Sequence, residues 1–293
     1  MSERTDPHVP YIPFEQYQER FKEFFTLTRE GGIIECRMHT NDGVAVWDYG
    51  HHSGWGKVIK AIGQDPENEV LILGGTGDQW LGPVDLQVSK RMMDTVINDH
   101  YAFRKSTYDG QYVDGLDLLW PLLYDIRIPT IGVVNGPANV HTEFPLICDI
   151  TICATDATFG EPHFSGLGSP TGDGLYLVFQ EVFGYKLANN MAFLGRIISA
   201  QEAYDLGAVA EVVERDKLYG RAWELASFIM KKDRYARRLQ HELAIQRWRR
   251  VINADFNLHF MAEEWAQCLA DPKAIEEASK MIAMAIDAQE AKA

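Results

Sequence analysis

An α/β fold, with short strand–helix turns wound into a spiral and followed by a helical tail, is what this sequence predicts, on three observations. Residues 69–73 form an apolar run that ends in Gly74-Gly75-Thr76-Gly77-Asp78, the pattern of a buried strand leading into a turn. Residues 129–134 repeat that pattern and end in Asn135-Gly136-Pro137. From Asp216 onward the spacing of apolar residues is helical almost throughout, with Pro272 as a break. The strand–helix units recur without the second half that a doubly wound nucleotide-binding sheet requires. The glycines at 74, 75 and 77 also lack the spacing of a dinucleotide loop.

Each element follows in order. Residues 1–13 carry three prolines and read as an extended arm, and residues 14–25 have the spacing of a short leading helix. Strands are predicted at 32–38 and 43–47, with Thr40-Asn41-Asp42 as the turn between them. Residues 53–62 read as a helix before the strand at 69–73, and 84–125 as helical with a loop near 106–110. After the strand at 129–134 come a short helix reaching Ile147, a strand around Ile150 and a short strand at 157–159. Helices are predicted over 174–182, 186–193 and 200–206, and a strand over 208–213. This order divides the chain into an arm and leading helix (1–30), a spiral core (31–215) and a C-terminal helical region (216–293).

Composition narrows the function. A chain of 293 residues that is 46% hydrophobic can bury a large core within one domain. Its net charge of −14 repels polyphosphate, so no nucleic-acid partner is expected. No apolar run approaches the roughly 20 residues that span a bilayer, and Met1 to Asp6 lack the apolar core of a signal peptide. A cytoplasmic enzyme with no membrane partner is therefore expected. Four cysteines lie without CxxC spacing, and Cys148 and Cys153 flank a buried strand, which reads as packing in a reducing compartment. No metal-ligand cluster is visible in the sequence, since His51-His52 have no partner at helical spacing, and neither a metal nor a cofactor is expected.

The chemistry gathers in two segments. Phe159-Gly160-Glu161-Pro162-His163 is followed by a glycine- and proline-rich loop that reaches Asp173. A loop of this composition folds back, so that Asp173 can hold one ring nitrogen of His163 and leave the other for water or substrate. His141 lies in Asn135-Gly136-Pro137-Ala138-Asn139-Val140-His141-Thr142-Glu143, placed to bind a carbonyl.

Asn135-Gly136-Pro137, Cys148-Asp149-Ile150, the Phe159-Gly160-x-Pro162 turn and residues 199–213 together resemble the crotonase (enoyl-CoA hydratase/isomerase) superfamily over about residues 30–270. The resemblance implies a spiral core and a C-terminal helical region that builds homotrimers, often paired as dimers of trimers. Two departures stand out. A hydratase has a glutamate where this chain has His163, although Glu143 stands where the other hydratase glutamate would be. The Ala-Gly-Ala-Asp stretch whose backbone helps hold CoA is replaced here by residues 79–85.

The same departures resemble 6-oxocamphor hydrolase and related β-diketone hydrolases of the superfamily. The matching segments are Asn135 through Glu143 with His141, Pro162-His163-Phe164, Pro170-Thr171-Gly172-Asp173-Gly174, Val46-Trp47 with His52, and Arg249-Arg250-Val251 leading to Glu263. The loop before Asp173 is one residue longer here. The resemblance implies hydrolytic cleavage of a carbon–carbon bond in a cyclic or bicyclic 1,3-diketone, by water and without CoA. His163 with Asp173 would be the general base, and His141 the donor to the second carbonyl. His52 and Glu263 would assist catalysis, with Trp47 and Phe164 against the substrate. His51 competes with His52 for the place facing the cleft. Two alternatives stand beside this expectation: a CoA-dependent hydratase, isomerase or thioester hydrolase using Glu143, and a crotonase-fold subunit without catalysis.

Overall fold

The computed structural model describes residues 10–82, 90, 113–269, 273, 276 and 280. A six-stranded sheet forms the centre, in the order β1 (Phe25–Glu30), β2 (Ile33–Met38), β3 (Val70–Gly75), β4 (Thr130–Val134), β5 (Ile150–Ala154), β8 (Glu211–Val213). β1 and β2 are antiparallel, and every later neighbour is parallel. β3 and β4 are buried at every position, as strands covered on both faces must be. A second sheet pairs β6 (Thr158–Phe159) with β7 (Ile198–Ser199).

The first hairpin corrects the expectation for the N-terminal region. The leading helix ends at Phe21, and Phe25–Glu30 is a strand with alternating buried and exposed residues. Its turn is Gly31-Gly32, both at positive φ, as a two-residue hairpin with right-handed strand twist demands. The strand predicted at 43–47 does not form. Asn41 and Asp42 do make a tight turn at φ of 50° and 62°. The chain beyond it bonds irregularly instead: Val46 N donates to Thr40 Oγ1 (3.0 Å) and Ala45 O accepts from Gly82 N (2.7 Å). Those bonds leave Trp47 buried rather than alternating across a sheet face.

The helix Tyr49–Gln64 is capped by Asp48, whose side chain accepts from His51 N. Helices at Val113–Leu116 and Trp120–Tyr124 fall within the predicted helical stretch; most of its remainder, including the loop near 106–110, lies outside the described residues. Asn135, at the carboxyl end of β4, donates to Gly77 O (3.0 Å) and Gln79 O (2.7 Å), tying together the loops that leave β3 and β4. A side chain at Gly136 would overlap the carbonyl oxygen of Asp78, so glycine is required for that approach. Cys36, Cys148 and Cys153 are free and buried.

Among the described residues, the helices Arg215–Met230, Arg234–Ala244 and Gln246–Leu269 follow in the tail and pack back on the core. Arg234, Arg237 and Arg238 converge on Glu69. His241 Nδ1 lies 2.7 Å from Asp149 Oδ2, which also accepts from Thr130 N (2.8 Å) and Thr130 Oγ1 (3.1 Å). One carboxylate thus joins β4, β5 and the tail. Asp149→Ala should lower the free energy of unfolding by about 2–3 kcal/mol in urea denaturation, because it removes charge-assisted bonds and strands their donors.

Candidate active site

The loop leaving β4 places His141 at φ 45°, a left-handed conformation that glycine adopts freely and other residues at a cost of about 1–3 kcal/mol. Packing holds it there. The imidazole stacks on Phe144 (5.0 Å between centroids, 2° between planes) and lies 4.2 Å from the Trp47 ring. Its Nδ1 is 2.7 Å from Glu143 Oε1. Glu143 starts the short helix Glu143–Ile147 and is fully buried, with no partner for Oε2 among the described residues. Burial pushes the His141 imidazolium down to about 4, with His163 reinforcing and Asp173 opposing the shift. Burial, helped by Asp173, pushes the Glu143 carboxyl well above the usual carboxylate range. His141 is therefore neutral near pH 7, and Glu143 is pushed toward its neutral form.

The second loop leaves β6. Glu161 accepts from the His163 backbone N–H (2.9 Å) and lies 2.7 Å from its Nδ1. Residues His163–Leu167 form a single π-helical turn, a geometry frequent at functional sites. The orienting partner of His163 is thus Glu161, which sequence reasoning passed over, although its position two residues before the histidine was visible. Asp173 Oδ2 sits 3.6 Å from His163 Nε2, beyond a direct hydrogen bond and close enough for one bridging water. Burial would lower the His163 pKa, but the Asp173 charge, the Glu161 bond and Glu263 outweigh it and raise it to about 10. Near neutrality this ring is an imidazolium.

Asp173 stands between the two rings, with the same Oδ2 3.7 Å from His141 Nδ1. Its Oδ1 accepts from Leu175 N (3.1 Å) at the start of the helix Leu175–Val182, where the helix field favours a negative charge. The flanking glycines make this placement possible. A Cβ at Gly172 would overlap His259 O, and Gly174 takes φ 103°. Gly172 N donates to Glu263 Oε2 (2.8 Å), so the tail helix Gln246–Leu269 reaches the loop directly. Burial and the nearby Asp173 charge raise the Glu263 carboxyl to about 8.

Of the remaining expected residues, Trp47 is buried against His141, and its ring lies 6.1 Å from that of His52. His51 is fully buried with both nitrogens engaged, by Asp48 Oδ1 (2.8 Å) and His39 O (2.9 Å), so it serves the fold. His52 is the neighbour of the cluster: burial, then repulsion from His141 when that ring is protonated, lower its imidazolium to about 4. Phe164 is not gathered in. It is 46% exposed and packs edge-on against Phe193 at 5.2 Å. A groove of about 710 Å³ along the helix Arg215–Met230 shares no residue with the cluster.

Folding also creates metal-like spacing that the sequence did not show. Ligand atoms of His141, Glu143 and Asp173, and those of His163, Asp173 and Glu263, lie within 4.8 Å of one another. These two sets could hold a cation, although an imidazolium and neutral carboxyls are poor ligands. The same groups as they stand suit proton transfer: one cationic and one neutral imidazole meet at one carboxylate.

A spiral α/β core carrying a buried acid–base cluster beyond the carboxyl end of a central strand defines a crotonase-fold enzyme. A family model for enoyl-CoA hydratase/isomerase matches residues 55–259, and the chain belongs to that family. Among solved structures it is similar to a β-diketone hydrolase from the cyanobacterium Anabaena bound to (S)-3-oxocyclohexyl acetic acid, at 29% identity and a TM-score of 0.77, covering 85% of this chain and 95% of that one. An enoyl-CoA hydratase/isomerase from Mycobacterium paratuberculosis shares the fold at 22% identity and a TM-score of 0.75, covering 86% and 97% of the two chains. Crotonyl-CoA hydratase of Syntrophomonas wolfei is 27% identical over 72% of this chain and 76% of its own. Hydroxycinnamoyl-CoA hydratase-lyase of Pseudomonas fluorescens is 28% identical over 60% of this chain, and the match spans 61% of that protein.

The raised values of His163 and Glu263 set the pH dependence of stability. Above pH 6.5, the ordinary His value, folded His163 holds a proton that the unfolded chain has released, so its contribution is lost as pH rises through about 10, while that of Glu263 is lost between the ordinary carboxylate range and about 8. His163 alone accounts for a loss on the order of 3–5 kcal/mol over that window. Chemical denaturation from pH 6.5 to 10 should show this decline, and His163→Gln should flatten it.

Proposed function

We propose that this chain hydrolyses a carbon–carbon bond of a cyclic or bicyclic 1,3-diketone, giving a keto acid without CoA. The observation that carries the proposal is the meeting of His163 and His141 at one atom, Asp173 Oδ2, 3.6 and 3.7 Å away. The reaction needs a base for water, a donor for a growing enolate, and a proton for the carbon that leaves. A water bridging His163 Nε2 and Asp173 gives its proton to the deprotonated ring and adds to one carbonyl. The bond from that carbonyl carbon to the α-carbon breaks, and its electron pair forms an enolate on the second carbonyl. Neutral His141 donates to that oxygen, and the His163 imidazolium returns its proton to the α-carbon. General-base help of this kind is worth about 10²–10⁴-fold, and a donor at the enolate about 10²–10³-fold.

The keto acid bound to the Anabaena hydrolase supports the same substrate class, since water added across one acyl–carbon bond of a bicyclic 1,3-diketone yields such a product. A CoA-dependent reading draws support from the names of the sequence relatives and from Glu143. Against it, the segment that replaces the CoA-binding stretch has two backbone N–H groups already engaged, Trp80 with Pro137 O (3.1 Å) and Gly82 with Ala45 O (2.7 Å). We further propose self-association into trimers through the tail, whose Leu239, Leu243, Leu258 and Trp265 are each more than 60% exposed. No described helix is long and apolar enough to cross a membrane.

A spectrophotometric screen of cyclic and bicyclic 1,3-diketones should find turnover, with CoA esters neither bound nor consumed. His163→Ala should lower kcat/KM by at least about 10²-fold; CoA-ester turnover that survives His163→Ala would favour the rival. Because the base form of His163 appears only as the pH rises toward about 10, kcat/KM should climb well above the ordinary histidine range. Asp173→Asn removes the largest raising influence and should move that limb to lower pH while reducing its plateau.

A further inference from the structure

Glu143 is left without a role by the proton transfers above, and its surroundings define one. It is completely buried, its Oε1 is 2.7 Å from His141 Nδ1, and its Oε2 has no partner among the described residues. The Asp173 carboxylate reaches to 3.7 Å from the same Nδ1. An ionised Glu143 would put a second anion near Asp173 and leave Oε2 buried with no donor among the described residues, an arrangement that disfavours the charge. A neutral carboxyl avoids the like charge. Its proton then has two places to sit. On Oε2 it would be a buried donor without an acceptor; on Oε1 it faces the lone pair of a neutral imidazole.

We propose that Glu143 is a positioning residue: as a neutral acid it donates its O–H to His141 Nδ1 and so fixes the imidazole proton on Nε2, the nitrogen left to donate to a carbonyl. It rests on the reading of His141 as donor to a substrate carbonyl. The polar contacts of His141 with Glu143 and Asp173 are both at Nδ1. The opposite tautomer would turn a lone pair toward the enolate oxygen and repel the charge that the site must accept. The two histidines are thus handled in opposite ways by similar means. Glu161, two residues before His163, accepts from an imidazolium at Nδ1, whereas Glu143, two residues after His141, donates to a neutral ring at the same atom.

The test is direct. Long-range ¹H–¹⁵N spectra of the unliganded protein, labelled at histidine and assigned with His141→Gln, should show His141 carrying its proton on Nε2 with Nδ1 unprotonated. Glu143→Gln offers an uncharged N–H donor at the same place. It should keep that tautomer and hold kcat within about tenfold, while Glu143→Ala lowers kcat by about 10²-fold with KM changed by less than about threefold. A proton on Nδ1 of the native protein would overturn the proposal, as would a Gln variant as impaired as the Ala variant. Since the tautomer is read without substrate, and wild type and Gln variant suffice if Glu143→Ala does not fold, absence of diketone turnover would sink the hydrolase reading while the spectra decide the role of Glu143.

Discussion

One carboxylate oxygen organises the site. Asp173 Oδ2 lies between two imidazoles at nearly equal distance, and the surrounding fold can be understood as the means of holding it there. The loop that carries it needs glycine on both sides, because the tail helix passes too close for a Cβ at 172 and the backbone turns left-handed at 174. Glu263 anchors that loop through Gly172 N, and the tail is itself fixed to the sheet by Asp149, His241 and the arginines around Glu69. A helical region far along the chain therefore sets the position of a residue in the core.

The two rings differ in charge although they share this neighbour. Burial acts on both and would make each neutral. At His163 three acidic groups oppose it, with Glu161 in direct contact, and the cation prevails. At His141 the adjacent acid is itself pushed toward its neutral form, and burial prevails. Desolvation and pairing compete at each nitrogen, and the negative charge and hydrogen bonding within reach decide the outcome. The same environment makes His163 a strong base and keeps most of it protonated at neutral pH. A rate that rises into alkaline conditions is the natural consequence.

Much of the central fold is legible in the sequence because buried parallel strands leave short apolar runs bounded by turn residues, as at 69–73 and 129–134. The hairpin at 25–38 is less so. Phe25, Thr26, Leu27 and Thr28 alternate as a strand should, but they follow directly on helical spacing, and the turn that closes the hairpin is Gly31-Gly32 rather than Thr40-Asn41-Asp42. The pairing of His163 and His141 with Asp173 was foreseen in part from segment composition and resemblance. The choice between His51 and His52 was not, since it turns on Asp48 capping a helix and binding one ring in the same act. Nor did sequence reasoning assign Glu161 and Glu143 to the histidines two residues away. Such short spacings place side chains together only when the local backbone bends, and the π-turn and the left-handed residue at 141 supply that bend.

The opposite protonation of His163 and His141 can be measured by following the ring C2 proton shifts of each histidine with pH. The two rings would be assigned by single substitutions in the unliganded protein. His163 should remain protonated through pH 8 and titrate near 10, and His141 should stay neutral down to about pH 5. If both rings titrate together near 6.5, the shared carboxylate does not divide them, and the proposed sequence of proton transfers is contradicted.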